Sequence, residues 1–252
     1  MKPKGKFYSG TSNLVLPGPK YTFPAEYQDK SRLAYYASLF NSVEINSSFY
    51  KIPQPATVEK WGLSVPDDFR FTFKLSRDIT HAKGFIYDAA YLHKFFQAVD
   101  RIGDKKGCLL IQFPPSFSFR NLGEVNRLLG QMQKLNTRNA WKVAVEFRNA
   151  YWNCEEVFNV LAEYKAGIVQ HDLAGGTWDM HDAGKASFIY LRFHGPEKGY
   201  RGSYTHDVLQ QYAVSIKKWM KQGKTVYAYF NNTMGDALNN LLMLNEYIDP
   251  GI

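Results

Sequence analysis

At 252 residues, with 45% hydrophobic and 16% aromatic side chains, the chain can bury a large core, which excludes a disordered polypeptide. No window approaches the ~18 consecutive apolar residues of a membrane-spanning helix, so no membrane partner is expected. The formal net charge of +8 favours an anionic partner through long-range attraction.

The elements alternate along the chain. The basic start, Met1-Lys2-Pro3-Lys4-Gly5-Lys6, has no apolar leader core behind it. It runs into a first strand over Lys6 to Gly10, closed by Gly10-Thr11-Ser12-Asn13. A Pro/Gly-rich loop (Pro17-Gly18-Pro19, Pro24) precedes an amphipathic helix from Ser31 through Phe40. Residues 43 to 50 open as a second strand, with Val43 and Ile45 on one face and Glu44 and Asn46 on the other. A helix around Thr57 to Leu63 and a third strand over Arg70 to Leu75 follow. Asp88 to Ile102 is helical, with Leu92, Phe95, Phe96 and Val99 on one face. Cys108 to Phe113 is strand four, stopped by Pro114-Pro115, and Leu122 to Leu135 is a helix. Lys142 to Arg148, Gly167 to Leu173, Phe188 to His194 and Thr225 to Asn231 complete the strands. Glu155 to Tyr164, Tyr204 to Lys221 and Asp236 to Tyr247 are their helices. Ala174 to Lys185 has no helical period, so a loop is expected there in place of the helix after strand six.

Eight strands with mostly helical connections predict an α/β fold, a single-domain TIM-like (β/α)8 barrel over residues 1–252. A doubly wound sheet is the alternative, but no G-x-G-x-x-G follows the first strand and no Walker-type loop is present. No internal repeat or linker divides the chain. With only Cys108 and Cys154, no disulfide framework is implied, and a reduced, cytoplasmic protein is the expectation. Cys154 opens a helix, where a thiol can be acidified; an ordinary cysteine is the simpler reading.

If the bulky apolar set on each strand faces the helices, polar side chains converge on the C-terminal mouth, where barrels build their sites. Strand two sends in Glu44 and Asn46, strand three Thr72 and Lys74, strand four Gln112, strand five Glu146 and Arg148. Strand six sends Gln170 and Asp172, strand seven Arg192 and His194, and strand eight ends in Asn231-Asn232. Glu44 and Glu146 suit a general acid/base pair, with His194 as proton carrier. Each carboxylate also suits a counter-ion of Arg148 or Arg192, in an internal salt-bridge network indispensable to the fold without being catalytic. Lys74, Arg148 and Arg192 suit an anionic substrate, and Lys74 also a Schiff base. Asn46, His81, Gln112, Asp172, Asn231 and Asn232 are further substrate-binding candidates. Asn231-Asn232-Thr233-Met234-Gly235 precedes the last helix, whose N-terminus suits a phosphate. Tyr50, Tyr151, Trp152 and Trp178 are candidates to stack on a ring. A metal site from Glu44, Asp172 and His194 is conceivable, but no metal-ligand spacing occurs and three cations stand nearby.

Gly10-Thr11-Ser12, Tyr35-Tyr36-Ala37, Val43-Glu44-Ile45-Asn46 with Phe49-Tyr50, Phe73-Lys74 and Thr80-His81 resemble the YecE-like family, domain of unknown function 72. So do Gln112-Phe113-Pro114-Pro115, Glu146-Phe147-Arg148, Asp172, Arg192-Phe193-His194-Gly195 and Phe230-Asn231-Asn232-Thr233. The resemblance implies a TIM-barrel-like cytosolic protein and supplies no reaction. The family's first motif usually continues Gly-Thr-Ser-Gly, whereas Asn13-Leu14-Val15 follows here, so the first loop is expected to shape the pocket differently.

The expectation is a cofactor-independent enzyme acting by acid/base chemistry on a small anionic, phosphorylated or sugar-like substrate. Two alternatives stay open. One is a metal-dependent phosphodiesterase or nuclease; the other is a non-catalytic barrel that binds an anion or nucleic acid. For nucleic acid the basic residues are too scattered. Lys217-Lys218 with Lys221 and Lys224 is the tightest group, short of a clustered stripe.

Overall fold

The structure is a computed structural model that describes residues 5–173 and 186–249. Eight parallel strands form a barrel: β1 (Phe7–Thr11), β2 (Ser42–Ile45), β3 (Arg70–Lys74), β4 (Lys106–Gln112), β5 (Lys142–Glu146), β6 (Gly167–His171), β7 (Phe188–Phe193) and β8 (Thr225–Phe230). They pair in the order β1-β8-β7-β6-β5-β4-β3-β2.

The seam between β1 and β2 is closed by side chains as well as backbone. Ser12 bridges Glu44, and the Asn13 amide donates to the Glu44 carbonyl at 2.8 Å. Lower down, the Asn41 side chain accepts from the Ser9 amide and donates to the Phe7 carbonyl, both at 2.9 Å. Gly10 allows the approach: a Cβ there would stand 2.0 Å from the Ser42 carbonyl oxygen.

Among the described residues, the longer helices α1 (Arg32–Leu39), α3 (Pro55–Leu63), α5 (Ala89–Val99), α6 (Leu122–Leu135), α7 (Glu155–Glu163), α8 (His206–Lys221) and α9 (Ala237–Ile248) follow the strands. One-turn helices α2 (Ser47–Tyr50) and α4 (Arg77–Thr80) sit between them on the C-terminal face. The long helices start at oxygen-bearing caps where the sequence supplies them: Ser31, Asp88 and Thr205 each accept a backbone N–H of the first turn. Their apolar stripes, such as Leu92, Phe95, Phe96 and Val99 of α5, pack on the outward strand residues in one continuous core. No helix of the described residues is long and apolar enough to cross a membrane.

The barrel interior is a separate, aromatic layer of Tyr8, Cys108, Leu110, Ala144, Val169, Phe188, Tyr190, Tyr227 and Tyr229. The Tyr229 hydroxyl is satisfied inside, 2.6 Å from Ser42 Oγ and 2.8 Å from Thr72 Oγ1. Two local expectations change. β2 stops at Ile45, and the chain turns helical at Asn46 (φ −81°, ψ −19°) into α2. The predicted loop over 174–185, with Trp178 in it, lies outside the described residues.

Candidate functional site

β7 carries the centre of the polar cluster. Tyr190, Arg192 and His194 point inward along one face, and Arg192 is 1% exposed. Its Nε and Nη2 donate to the two oxygens of Glu44 at 3.0 and 2.7 Å, a planar fork on a carboxylate. Nη1 donates to Glu146 Oε2 at 2.6 Å and lies 3.3 Å from His194 Nε2. Ser12 Oγ and the Tyr190 hydroxyl donate to the same Glu44 carboxylate at 2.6 and 2.5 Å. Glu44 therefore accepts four hydrogen bonds and has no free direction for a substrate proton. Burial raises its pKa, but the Arg192 charge and these donors outweigh burial and hold it below the ordinary value. Assigned above as a possible base, Glu44 is instead a filled counter-ion of Arg192.

Glu146 is bound differently. Burial is again opposed by Arg192 and Arg148, which hold its carboxyl well below the usual range. Arg148 Nε reaches Glu146 Oε1 at 2.5 Å, an ion contact whose N–H does not point along a hydrogen-bonding line. Oε1 thus keeps unused acceptor capacity.

His194 is fully buried, and burial, against the opposing hydrogen bond it makes to Asp172, lowers its pKa to about 4. The imidazole is neutral at pH 7. Because Arg192 can only donate, Nε2 accepts from it, and Nδ1–H donates to Asp172 Oδ1 at 3.3 Å. Asp172 also accepts from the His194 amide at 2.9 Å and from the Tyr204 hydroxyl. Both histidine nitrogens are occupied, so the proton-carrier role expected of His194 does not fit its contacts. Gly195 has φ +100°, and a Cβ there would meet the Arg201 carbonyl oxygen at 2.1 Å, so the Arg-Phe-His-Gly ending needs glycine.

Above this deep layer lies a second one. Lys74 Nζ donates to Gln112 Oε1 at 2.7 Å and sits 4.1 Å from the centre of the Phe49 ring. Arg148 Nη2 donates to the same Gln112 oxygen at 3.3 Å. Burial, then repulsion by Arg192, brings the Lys74 pKa down to about 8. Among the described residues no carboxylate lies within ion-pair distance of Nζ. His81 is exposed beyond Phe49, its ring edge-on to it at 5.0 Å, and Nδ1 pairs with Thr80 Oγ1 at 2.8 Å. Burial and the charges of Lys74, Arg77 and Arg148 lower its pKa. A cavity of about 310 Å³ lined by His81, Lys83, Gly84, Pro114, Ser116 and Asn121 adjoins it. Asn46 lies at the rim, its amide bound to Asn13 Oδ1 at 3.2 Å. Asn13 has φ +63°, the left-handed region in which asparagine is enriched among non-glycine residues. The asparagine that departs from Gly-Thr-Ser-Gly adds a side-chain tie across the seam.

Strand six needs the largest correction. His171 pairs in register with Arg192, so Gly167, Val169 and His171 face the interior and Gln170 faces the helices. His171 Nε2 donates to the Phe147 carbonyl at 2.7 Å, leaving buried Nδ1 without a partner among the described residues. Burial lowers its pKa, against the pull of Glu146. His171 escaped the sequence reading because Gln170-His171-Asp172 is a polar run with no alternation; only the strand register reveals it.

Other candidates are engaged elsewhere. Asn232 is buried on the outer side, donating to Asn240 of α9 at 3.0 Å and to the Gly202 carbonyl at 3.1 Å. The amides of Met234, Gly235 and Asp236 are taken by the Tyr200, Asn232 and Gly202 carbonyls, so these three are not free for a phosphate. Trp152 is 1% exposed and stacked on Phe147 at 4.1 Å, unavailable to a ligand ring, while Tyr50 and Tyr151 are exposed. Burial pushes the Cys154 thiol up, so the helix start does not acidify it. For the metal alternative, the four bonds to Glu44 leave it no lone pair to give. Among the described residues no cluster of three His, Cys, Asp or Glu could hold an ion. A cavity of about 590 Å³ opens at the opposite end, between Phe7, Asn41, Phe69, Met220 and Asn245, away from the converging charges.

The barrel is shared with known proteins. A profile described as Protein of unknown function DUF72 matches residues 8–250. The chain belongs to the DUF72 family. UPF0759 protein YunF of Bacillus subtilis is 26% identical over 268 residues, covering 90% of each chain. UPF0759 protein YecE of Escherichia coli K12 is 32% identical over 87 residues, 34% of this chain and 32% of that protein. The crystal structure of a DUF72 family protein from Enterococcus faecalis V583 superposes with a TM-score of 0.78 at 18% identity, covering 96% and 95% of the two chains. The barrel also resembles D-allulose 3-epimerase from Methylomonas sp., with a TM-score of 0.59, 14% identity and coverage of 91% and 86%.

Proposed function

We propose that the C-terminal mouth of this DUF72 barrel is an active site for a small anionic, sugar-like or phosphorylated substrate, worked by acid–base chemistry of its own side chains. One observation carries the reading: Lys74 and Arg148 converge on a single neutral acceptor, Gln112 Oε1, at the open side of the cluster. Glu44 and Glu146 are occupied by Arg192 and Arg148, which leaves the Lys74 charge to a ligand. Unspent hydrogen-bonding capacity on His171 Nδ1 and Asn46 Oδ1, among the described residues, supports it, since buried polar groups ordinarily find partners. The fold likeness to a sugar epimerase is compatible, though fold alone names no chemistry.

In this reading Arg148 and Lys74 hold the anion, and Asn46 and His81 line its approach. Lys74 and His171 replace Glu44 and His194 as the proton-transfer groups. Lys74 has the right character, because a catalytic pKa near the working pH serves best. The test is a thermal-shift and calorimetric panel of ribose 5-phosphate, glucose 6-phosphate and gluconate beside neutral ribose and glucose. The expected result is stabilisation by at least one anionic sugar, about 2.7 kcal/mol at a hundredfold excess over its Kd, abolished in Lys74→Met. A panel with no anionic preference would overturn the reading.

A further inference from the structure

Lys74 is the one inward cation of the mouth that the ion network leaves without a carboxylate among the described residues. The charged groups that act on Nζ come from three other strands: Glu44 on β2, Glu146 and Arg148 at the end of β5, and Arg192 on β7. Both carboxylates are already committed to arginines. Nζ is held by one neutral oxygen, 2.7 Å away, and by the Phe49 face. The residue is 9% exposed, so the side chain is largely shielded from solvent.

We propose that Lys74 is a nucleophile that forms a Schiff base with a substrate aldehyde or ketone carrying a carboxylate or phosphate close to its carbonyl. The inference rests on the anionic-substrate reading and deepens it by naming the reacting group. Geometry sets the substrate's size. Because Lys74 Nζ and Arg148 Nη2 share Gln112 Oε1, they are separated by no more than the sum of those two hydrogen bonds. That span fits a 2-oxo acid or a two- or three-carbon phosphorylated aldehyde, its anionic group on Arg148 and its carbonyl carbon on Nζ.

The step balances without an oxidant or reductant. The neutral amine's electron pair forms the C–N bond as the C=O π pair moves to oxygen. A proton passes from nitrogen to that oxygen, giving the carbinolamine. The nitrogen pair then forms C=N as the hydroxyl leaves with a proton as water. The products are one imine, or its protonated iminium, and one water. Burial and Arg192 supply what the step needs, an amine free at near-neutral pH. At pH 7.5 a lysine with a pKa near 8 has on the order of 100-fold more free amine than one at the ordinary value of about 10.4.

The test is reductive trapping on the full chain. The protein is incubated with glyoxylate or glycolaldehyde phosphate and sodium cyanoborohydride at pH 7.5, then measured by intact mass and peptide mapping. Apart from the chain's α-amino group, whose ordinary pKa of about 7.7–8.0 is as low, one fast adduct is expected, on Lys74, forming on the order of 100-fold faster than on any exposed lysine. The site is read in the wild-type chain, so the result does not depend on any variant folding; Lys74→Arg, checked for native circular dichroism, should show no fast side-chain adduct. Calorimetry with glycolate and glycerol 3-phosphate, which bear the anion without a carbonyl, runs in parallel. Binding of these anions with no preferential adduct on Lys74 would overturn the Schiff base and leave the anion site standing. Neither binding nor preferential adduct would overturn both.

Discussion

Replacing Arg192 by methionine separates two roles that the buried network could play. Arg192 is 1% exposed and spans two carboxylates that are themselves fully buried. Methionine fills much of the volume and removes the charge. Breaking a buried pair by deleting one partner costs about 3–5 kcal/mol, because the remaining charge stays buried. Here two carboxylates lose a partner, but Glu146 keeps Arg148, and Glu44 keeps the Ser12 and Tyr190 hydroxyls. The expected loss is therefore about 3–5 kcal/mol in all, a large fraction of the roughly 5–15 kcal/mol that holds a domain folded.

The pH dependence of that loss is more diagnostic than its size. In the wild type both carboxyls have folded-state pKa values below the unfolded ones. Their contribution is fully present above the unfolded glutamate value of about 4.3 and is lost as pH falls through the folded values. In Arg192→Met, burial is no longer outweighed, and the Glu44 pKa should rise above its unfolded value. The folded chain then binds more protons than the unfolded one, and stability falls as pH rises above about 4.3, by up to ~1.4 kcal/mol per pH unit for each such proton. Urea unfolding followed by circular dichroism between pH 4 and 7.5 reads both quantities. A variant within about 1 kcal/mol of wild type, or one that does not gain stability toward pH 4.5, would refute the account of Arg192 as the counter-ion of two buried carboxylates.

Other outcomes test separate parts of the site. Gly195→Ala should lose at least ~2 kcal/mol in thermal unfolding, because φ is +100° and the new Cβ would stand 2.1 Å from the Arg201 carbonyl; an unchanged midpoint would contradict the close approach. Ser12→Ala removes one of the four donors to Glu44 and should cost about 1.5–3 kcal/mol, the range for a hydrogen bond to a charged group. Millimolar Mn²⁺ should leave the melting temperature of the wild type unchanged, since the lone pairs of Glu44 are filled; a rise of several degrees would reinstate the metal-dependent alternative.

The barrel was legible because most strands keep a clean two-residue alternation and are closed by turn residues. Glu44, Lys74, Gln112, Glu146, Arg148 and Arg192 all occupy the interior or its mouth, as their alternation implies. What alternation could not supply is the partner of each charge. That Glu44 is saturated depends on Tyr190 and Ser12, ordinary residues in the sequence that the register of β7 and the β1–β2 bridge bring to it. His171 was missed, and Gln170 misplaced, where three consecutive polar residues erase the period. Asn232 was read as a mouth residue because it ends a strand; one residue past Asn231 it turns to the opposite side and bonds α9. The one-turn helices α2 and α4 are too short to show a helical period.

The two layers of the mouth are coupled electrostatically, and this narrows the choice between a structural network and a catalytic one. Glu44, Arg192, Glu146 and Arg148 together sum to no net charge, so at long range they are silent. Lys74 is close enough to feel them individually: Arg192 depresses its pKa more than either Glu146 or Glu44 raises it. The buried network therefore need not touch a substrate to matter for one. It holds the interior strands together and, through the position of Arg192, keeps the Lys74 amine accessible near pH 8. If that coupling operates, the Arg192→Met variant, studied where it remains folded, should trap glyoxylate on Lys74 more slowly at pH 7.5, and its pH midpoint should move upward. An unshifted midpoint would mean that burial alone depresses Lys74, and that the arginine serves only the fold.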